Sequence, residues 1–200
     1  MNLSRRHLLA AGLLGTVSLR LPAQAQSRGP TPAPLGALGL DATQFGLRPG
    51  AGEDQSQRLQ AALREAARRS APLLLPPGRY RVGRVALPEG ARLIGVPDAT
   101  RLVTADGGPI LLARNLMQTS LSGFVLDGLD IPSAQRSGLI EADAVGAITV
   151  ADLAFSNAGS VGMTLNRCGG RISMSSFRKM RDSALFSLDS RGLEIERNTV

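Results

Sequence analysis

Three polar residues with a common spacing are the first candidates for chemistry in this sequence. Asp143, Asn166 and Asp189 follow one another at intervals of 23 residues, each inside a segment that opens with serine and closes with glycine. If these segments stack as neighbouring strands, the two outer carboxylates stand about 9–10 Å apart, near the upper end of the spacing that inverting glycosidases use. The structural alternative is a ladder of turns, because Asp and Asn side chains also bond the backbone after a strand.

A second group of candidates lies in an insertion between two repeats. The segment DGLDIPSAQR contains Asp127, Asp130 and Arg136. Extra residues must leave a repeat as a surface loop, and such loops wall binding grooves on repeat proteins. An acid and an arginine beside a groove can bind a sugar hydroxyl or a uronate carboxylate. A plain turn at the Asp-Gly pair is the alternative, and the sequence leaves both open.

The first 25 residues have the order of an export signal. MNLSRRHLLAAGLLGTVSLRLPAQA places Arg5 and Arg6 before an apolar run that Arg20 interrupts, and it ends in small residues. The run is short for a membrane span. We predict export through the twin-arginine machinery, which reads Arg5 and Arg6, with cleavage after Ala25. The mature protein is then periplasmic or secreted, without a stable membrane span; general secretion is the alternative route.

The composition excludes several kinds of site. The single histidine, His7, leaves with the export signal, and Cys168 is the single cysteine. The mature chain therefore has no Ser–His–Asp or Cys–His catalytic set and no histidine-based metal site. We predict no metal and no cofactor, and the sequence assigns no catalytic residue. The formal charge of +7 is not gathered in a basic block with interleaved aromatics, so no nucleic-acid partner is predicted.

The positioning elements follow from the pattern of the chain. Residues 26–40 are a Pro/Gly/Ala linker, and residues 41–80 form an N-terminal cap with a helix over about residues 54–69 and a first strand. Residues 81–200 contain short apolar runs separated by turns. The segments LSGFVL, VADLAF, ISMSSF and IERNTV begin at Leu121, Val150, Ile172 and Ile195, which are 29, 22 and 23 residues apart.

A period near 22–23 residues with short strands predicts a parallel β-helix, in which like side chains stack from coil to coil. The fold class is thus all-β, a right-handed parallel β-helix with an N-terminal capping α-helix. A leucine-rich repeat has a similar period, but its Leu and Asn framework is missing. The chain stops at Val200 on the last residue of a strand pattern, so we expect the sequence to be the N-terminal part of a longer, incomplete set of coils.

A resemblance supports this fold. Phe45-Gly46, the helix, and the strand from Leu75 to Tyr80 resemble the opening of pectate-lyase-like right-handed β-helix proteins. With the export signal and LFSLDSRGLEIERNTV, the chain most resembles an uncharacterised family of twin-arginine-exported repeat proteins. The resemblance covers residues 41–200 and departs from the usual Gly-Asp-Gly and Asp-Asp-Thr pattern at Gly52–Ser56.

The resemblance implies a fold that carries lyases, hydrolases, epimerases and non-catalytic binders. Two functions therefore stay open. The first is a polysaccharide lyase or glycoside hydrolase that acts on an extended polysaccharide. The second is a non-catalytic envelope or cell-surface module that binds a glycan or a protein. Carboxylates that converge on one face favour the enzyme, and scattered carboxylates favour the binding module.

Overall fold

The computed structural model of the chain describes residues 39–200. The predicted export signal with Arg5 and Arg6, the cleavage point after Ala25 and nearly all of the linker lie outside the described residues. The elements are β1 Leu40–Asp41, a 3₁₀ turn Ala42–Phe45, α1 Ser56–Arg68, β2 Leu73–Leu74, β3 Gly78–Val82, β4 Val85–Ala86, β5 Arg92–Ile94, β6 Thr100–Thr104, β7 Leu111–Asp127, β8 Gly138–Ala158, β9 Val161–Asn166, β10 Gly170–Ser173, β11 Ser176–Met180, β12 Leu185–Leu188 and β13 Leu193–Glu196. No helix in this part of the chain is long and apolar enough to cross a membrane.

The strands wind around one core as three parallel sheets. Sheet A contains β1, β2, β5, the middle parts of β7 and β8, β10 and β13. Sheet B contains β3, β6, the last parts of β7 and β8, and β11. Sheet C contains β4, the first parts of β7 and β8, β9 and β12. The chain is therefore a right-handed parallel β-helix, which confirms the predicted fold class.

The repeated segments align as the sequence predicts. Val150 pairs with Leu121 on one side and with Ile172 on the other, and Ile172 pairs with Ile195. The intervals of 29, 22 and 23 residues are therefore true coil lengths in sheet A.

Single residues in the left-handed conformation bend the chain between sheets. The corner between sheets C and A has a positive φ at Asn115, Ala144, Arg167 and Asp189, with values of 53°, 55°, 52° and 52°. One residue in this conformation reverses the direction of the strand without breaking the stacking of the coils. Long strands such as β7 and β8 can therefore run through two corners and contribute to all three sheets.

The core consists of columns of inward side chains. Phe155 and Phe177 stack with ring centroids 4.5 Å apart, and both are almost fully buried. Helix α1 contacts β2 to β5 and buries Leu59 and Leu63 against the first coils. The buried apolar stripe of α1 removes the inward side chains of these coils from water, and this is the reason for a helix at this end.

The predicted stacking fails in the last coil of sheet C. Met163 pairs with Leu185, and Asn166 pairs with Leu188, so this step is 22 residues long instead of 23. Because alternate side chains face opposite sides of a strand, the shift turns Phe186 and Leu188 outward. Leu188 is 50% exposed. The prediction that both fill core positions was therefore wrong: the hydrogen bonds continue the 22-residue step of the preceding sheet B strand.

Candidate functional site

The outward face of sheet C gathers the polar side chains that could do chemistry. Its strands place inward side chains at Ile140 and Ala142, and alternation turns the residues between and after them outward. The outward polar residues of three successive strands are Arg114, then Glu141 and Asp143, then Thr164 and Asn166. Asp143 lies directly between Arg114 and Asn166 in register.

These residues form the floor of a groove. A cleft of about 580 Å³ and a second cleft of about 390 Å³ share Glu141 and Thr164, so they continue into each other. Residues 128–137, which we call the insertion loop, wall the larger cleft from Pro132 to Ser137, and Arg84 with Asp106 lies on its opposite side. The insertion is thus a groove wall, as one of the two interpretations of the sequence predicted. We call the two clefts together the groove.

The two carboxylates of the floor have different partners. Asp143 Oδ1 accepts hydrogen bonds from Asn166 Nδ2 at 2.8 Å and from Arg167 Nη2 at 2.7 Å. Glu141 Oε1 accepts one from Ser137 Oγ at 2.8 Å. The charge of Asp143 is therefore balanced by a guanidinium, whereas Glu141 is bonded to a neutral hydroxyl.

Arg136 stands at the end of the insertion loop, above the groove. Its backbone N–H donates to Ser160 Oγ at 3.1 Å, and its carbonyl accepts from Thr164 Oγ1 at 2.6 Å. The guanidinium lies 4.7 Å from the centre of the Phe186 ring, at the distance of a cation–π contact. The register shift that turns Phe186 outward therefore provides the surface on which Arg136 rests.

Asp127 lies at the other end of the loop and does not line the groove. Its carboxylate accepts from Arg101 Nη1 at 2.9 Å, from Asn157 Nδ2 at 2.9 Å and from the Leu129 N–H at 3.0 Å. Burial raises the pKa of Asp127, but these donors outweigh it and hold the pKa below its usual value. Asp127 therefore anchors the start of the loop, and its bond to Leu129 is the predicted turn contact.

Asp130 is also removed from the groove. Its carboxylate accepts from Arg181 Nε at 3.0 Å, and its carbonyl accepts from the same guanidinium. The side chain of Asp130 is 68% exposed, so this pair fastens the loop to a neighbouring coil at the surface.

Asp189 does not join Asp143 and Asn166. Leu188 occupies the position opposite Asn166, and Asp189 is the corner residue that follows it. It lines a separate cleft of about 420 Å³ together with Arg167 and Cys168. The predicted column therefore has two members, Asp143 and Asn166, and their direct contact replaces the predicted bonds to their own turn backbone.

Glu141 is the main functional candidate that sequence reasoning missed. It lies two residues before Asp143, so the alternation of a strand places both carboxylates on one face, about 7 Å apart along the backbone. That alternation was the available signal; the repeat hid it, because the equivalent residues are Thr164 and Phe186. Separations of about 6.5–9.5 Å between two carboxyl groups are typical of inverting glycosidases. No three His, Cys, Asp or Glu side chains within residues 39–200 are grouped so that they could hold a metal ion.

Comparison with known proteins places the fold and no family. The chain matches no protein-family model and no curated protein sequence. It is similar to a proposed glycosyl hydrolase from Parabacteroides merdae, with a TM-score of 0.64 and 14% identity over 80% of this chain and 96% of that one. It is also similar to ORF18 of Geobacillus virus E2, with a TM-score of 0.57 and 11% identity over 82% of this chain and 41% of that one.

A third similar structure is WceF of Pantoea stewartii, a glycan biofilm modifying enzyme with a bacteriophage tailspike-like parallel β-helix fold. Its TM-score is 0.57, and the 15% identity covers 80% of this chain and 30% of WceF. At these identities the likeness concerns the fold, and the chain spans less than half the length of the viral protein and of WceF.

Proposed function

We propose that this protein acts on an extended polysaccharide, which binds along the groove. The observation that carries the proposal is the pair Glu141 and Asp143 on one outward strand, in a groove whose length covers two connected clefts. Arg114, Thr164 and the insertion loop add donors and acceptors suited to sugar hydroxyls. Two of the similar structures are described as a glycosyl hydrolase and a glycan-modifying enzyme, which supports this substrate class.

The different partners of the two carboxylates suggest a division of roles in hydrolysis. Glu141, bonded to the Ser137 hydroxyl, would give a proton to the glycosidic oxygen. Asp143, held in place by Asn166 and Arg167, would orient and deprotonate the attacking water. The bond between the anomeric carbon and the leaving oxygen breaks as the bond to water forms, and one proton passes through each carboxylate.

Turnover of a polysaccharide panel tests the proposal. The purified protein should release new reducing ends from at least one acidic or neutral polysaccharide, and Glu141→Gln or Asp143→Asn should lower that rate by about 100-fold or more. Glu194→Gln is the matched control, because Glu194 is an exposed carboxylate on sheet A that pairs with Arg171. An equal loss of activity in Glu194→Gln would contradict the assignment to the groove.

A non-catalytic binding module is the second candidate. The observation in its favour is that both carboxylates already have partners, so the floor can serve as a finished surface of hydrogen-bonding groups. In that case the polysaccharide binds without turnover, and Glu141→Gln changes affinity while no reducing ends appear in any variant. The same panel therefore separates the two candidates.

The proposal includes export to the periplasm or the cell exterior by the twin-arginine route, as in the repeat family that the sequence resembles. The paired arginines Arg5 and Arg6 before an apolar run support it. Replacing both by lysine should leave the full-length protein in the cytoplasm, as fractionation would show. A protein that is still exported after this change would favour general secretion.

A further inference from the structure

A second cleft lies on the opposite side of the insertion loop, and its charge is of one sign. It has a volume of about 330 Å³ and is lined by Arg79 and Arg81, by the backbone of residues 50–52, and by Leu129 and Ile131 of the loop. No carboxylate is among its lining residues. We call it the cationic cleft. It shares no lining residue with the groove.

The two arginines reach the cleft because of strand alternation in β3. Tyr80 points inward and is fully buried, so its neighbours Arg79 and Arg81 point outward on sheet B. Their Cβ atoms are about 7 Å apart along the strand. Arg81 Nη2 donates to the carbonyl of Ala105 at 2.8 Å, which fixes this guanidinium at the edge of the cleft.

The positive charge of the cleft is not neutralised within residues 39–200. Neither Arg79 nor Arg81 takes part in an ion pair there. Asp54 pairs with Arg81 in register, but its Oδ1 accepts from the backbone N–H of Ser56 at 2.8 Å. An unneutralised pair of guanidinium groups in a concave site favours an anionic ligand.

Arg79 also has a like charge beside it. It pairs directly with Arg101 of the next coil, and like charges directly opposite each other in a sheet are destabilising. Arg101 is balanced by Asp127, which leaves the charge of Arg79 facing the cleft. An arrangement that costs stability in the free protein is relieved when an anion binds.

We infer that the cationic cleft binds a sulfate or phosphate ester group carried by a glycan. A tetrahedral ester has three free oxygens and can accept from two guanidinium groups at once, whereas the two oxygens of a carboxylate are satisfied by one arginine. Leu129 and Ile131 are 42% and 36% exposed, so the loop offers an apolar wall for the C–H face of the sugar ring. The site is separate from the groove and does not depend on its activity.

Calorimetric titration with dextran sulfate, a phosphomannan, polygalacturonate and neutral dextran tests this inference. The protein should bind dextran sulfate or the phosphomannan at least about tenfold more tightly than polygalacturonate, and neutral dextran weakly. The tighter of the first two identifies the ester. Polygalacturonate bound as tightly as both esters, or a DNA duplex bound as tightly as dextran sulfate, would overturn the assignment to an esterified glycan.

Two double variants locate the binding. Arg79→Gln with Arg81→Gln should weaken dextran sulfate binding by about tenfold or more, whereas Arg64→Gln with Arg191→Gln removes the same charge from exposed positions elsewhere and should change it by less than about threefold. Equal losses would show a general charge effect and overturn the site. Arg136→Gln separates this result from the groove, because it should leave dextran sulfate binding within about twofold. A loss as large as that of the cleft variant would place the anion in the groove instead.

Discussion

The groove and the cationic cleft lie on two sides of one loop and differ in what the neighbouring strands turn outward. On the groove side, Glu141 and Asp143 alternate with buried residues of sheet C, and each carboxylate has a donor. On the cleft side, Arg79 and Arg81 alternate with buried residues of sheet B, and no acid lines the site. The same loop and the same strand geometry thus produce a mixed-charge surface and a cationic surface, and register alone decides between them.

The loop itself can be displaced from both sites at once. A Cβ atom at Gly159 would lie 1.8 Å from the carbonyl oxygen of Ile131, closer than any contact between real atoms. Gly159→Val should therefore force the loop away and destabilise the protein by about 3 kcal/mol, as overpacking of a well-fitted site does. Urea unfolding measures this, and binding in both the groove and the cleft should weaken together.

Gly52→Ala is the matched control for this change. No heavy atom lies within 4 Å of a Cβ built at Gly52, so stability should change by less than about 0.5 kcal/mol. A Gly159→Val protein as stable as the control, with both sites intact, would show that the loop is not the shared wall.

Alkaline pH should loosen the cleft side of the comparison first. Burial raises the pKa of Tyr80, which lies between the two arginines of β3, to about 12. An unfolded tyrosine has a pKa of about 10, so the stability from the buried neutral phenol is complete below pH 10 and is lost as the pH rises towards 12. The loss should be on the order of 2 kcal/mol.

This titration has a clear signal because Tyr80 is the single tyrosine and the chain has no tryptophan. The ultraviolet absorbance of tyrosinate gives its pKa, and thermal unfolding from pH 9 to 12 gives the stability. Tyr80→Phe keeps the packing but loses the hydrogen bond to the Pro76 carbonyl, and its stability should depend less on pH. An ordinary tyrosine pKa in the folded protein would contradict the prediction.

Removal of the charge at Asp127 should affect stability and sharpen the contrast between the two sites. Asp127→Asn leaves Arg101 without its anionic partner and should cost about 2 kcal/mol in urea unfolding. The freed guanidinium adds a cation beside Arg79, so binding of dextran sulfate should become tighter while the groove residues keep their contacts.

The pH dependence of this variant provides its control. The pKa of Asp127 is lowered in the folded state, so its stabilisation is present above the unfolded pKa of about 3.9 and is lost as the pH falls through the folded value. The wild type and Asp127→Asn should therefore converge in stability in strong acid. Asp182→Asn, an exposed acid, should stay within about 0.5 kcal/mol of the wild type throughout. A constant difference at every pH would contradict the role of the charge.

The fold was predictable because its signal is repeated. Leu121, Val150, Ile172 and Ile195 occupy the same position of successive coils, and each coil repeats the same evidence for stacking. The capping helix was predictable from its apolar stripe and begins two residues later than predicted, at Ser56. The last coil of sheet C was not, because the match between two segments 23 residues apart hides a 22-residue hydrogen-bonded step.

The candidate site was less predictable, since it depends on which face a side chain takes. Asp143, Asn166 and Arg136 lie at the groove, whereas Asp127 and Asp130 are used to anchor its wall. An acid at the start of a loop looks the same in sequence whether it binds a ligand or an arginine from another coil. Only the pairing of distant strands, which brings Arg101 to Asp127, separates these cases.

The smallest predicted effect tests the origin of the contrast between the two sites. Arg79 pairs directly with Arg101 across one coil step, and this repulsion should cost about 0.3 kcal/mol in low salt. Arg79→Gln should therefore stabilise the free protein slightly, although it weakens the binding of dextran sulfate. The gain should vanish at about 1 M salt, where charges are screened over about 3 Å, and Arg64→Gln should show no gain. A loss of stability in Arg79→Gln would mean that Arg79 already has a favourable partner. The cationic cleft would then be a finished structural surface like the groove floor, rather than a site whose charge awaits a ligand.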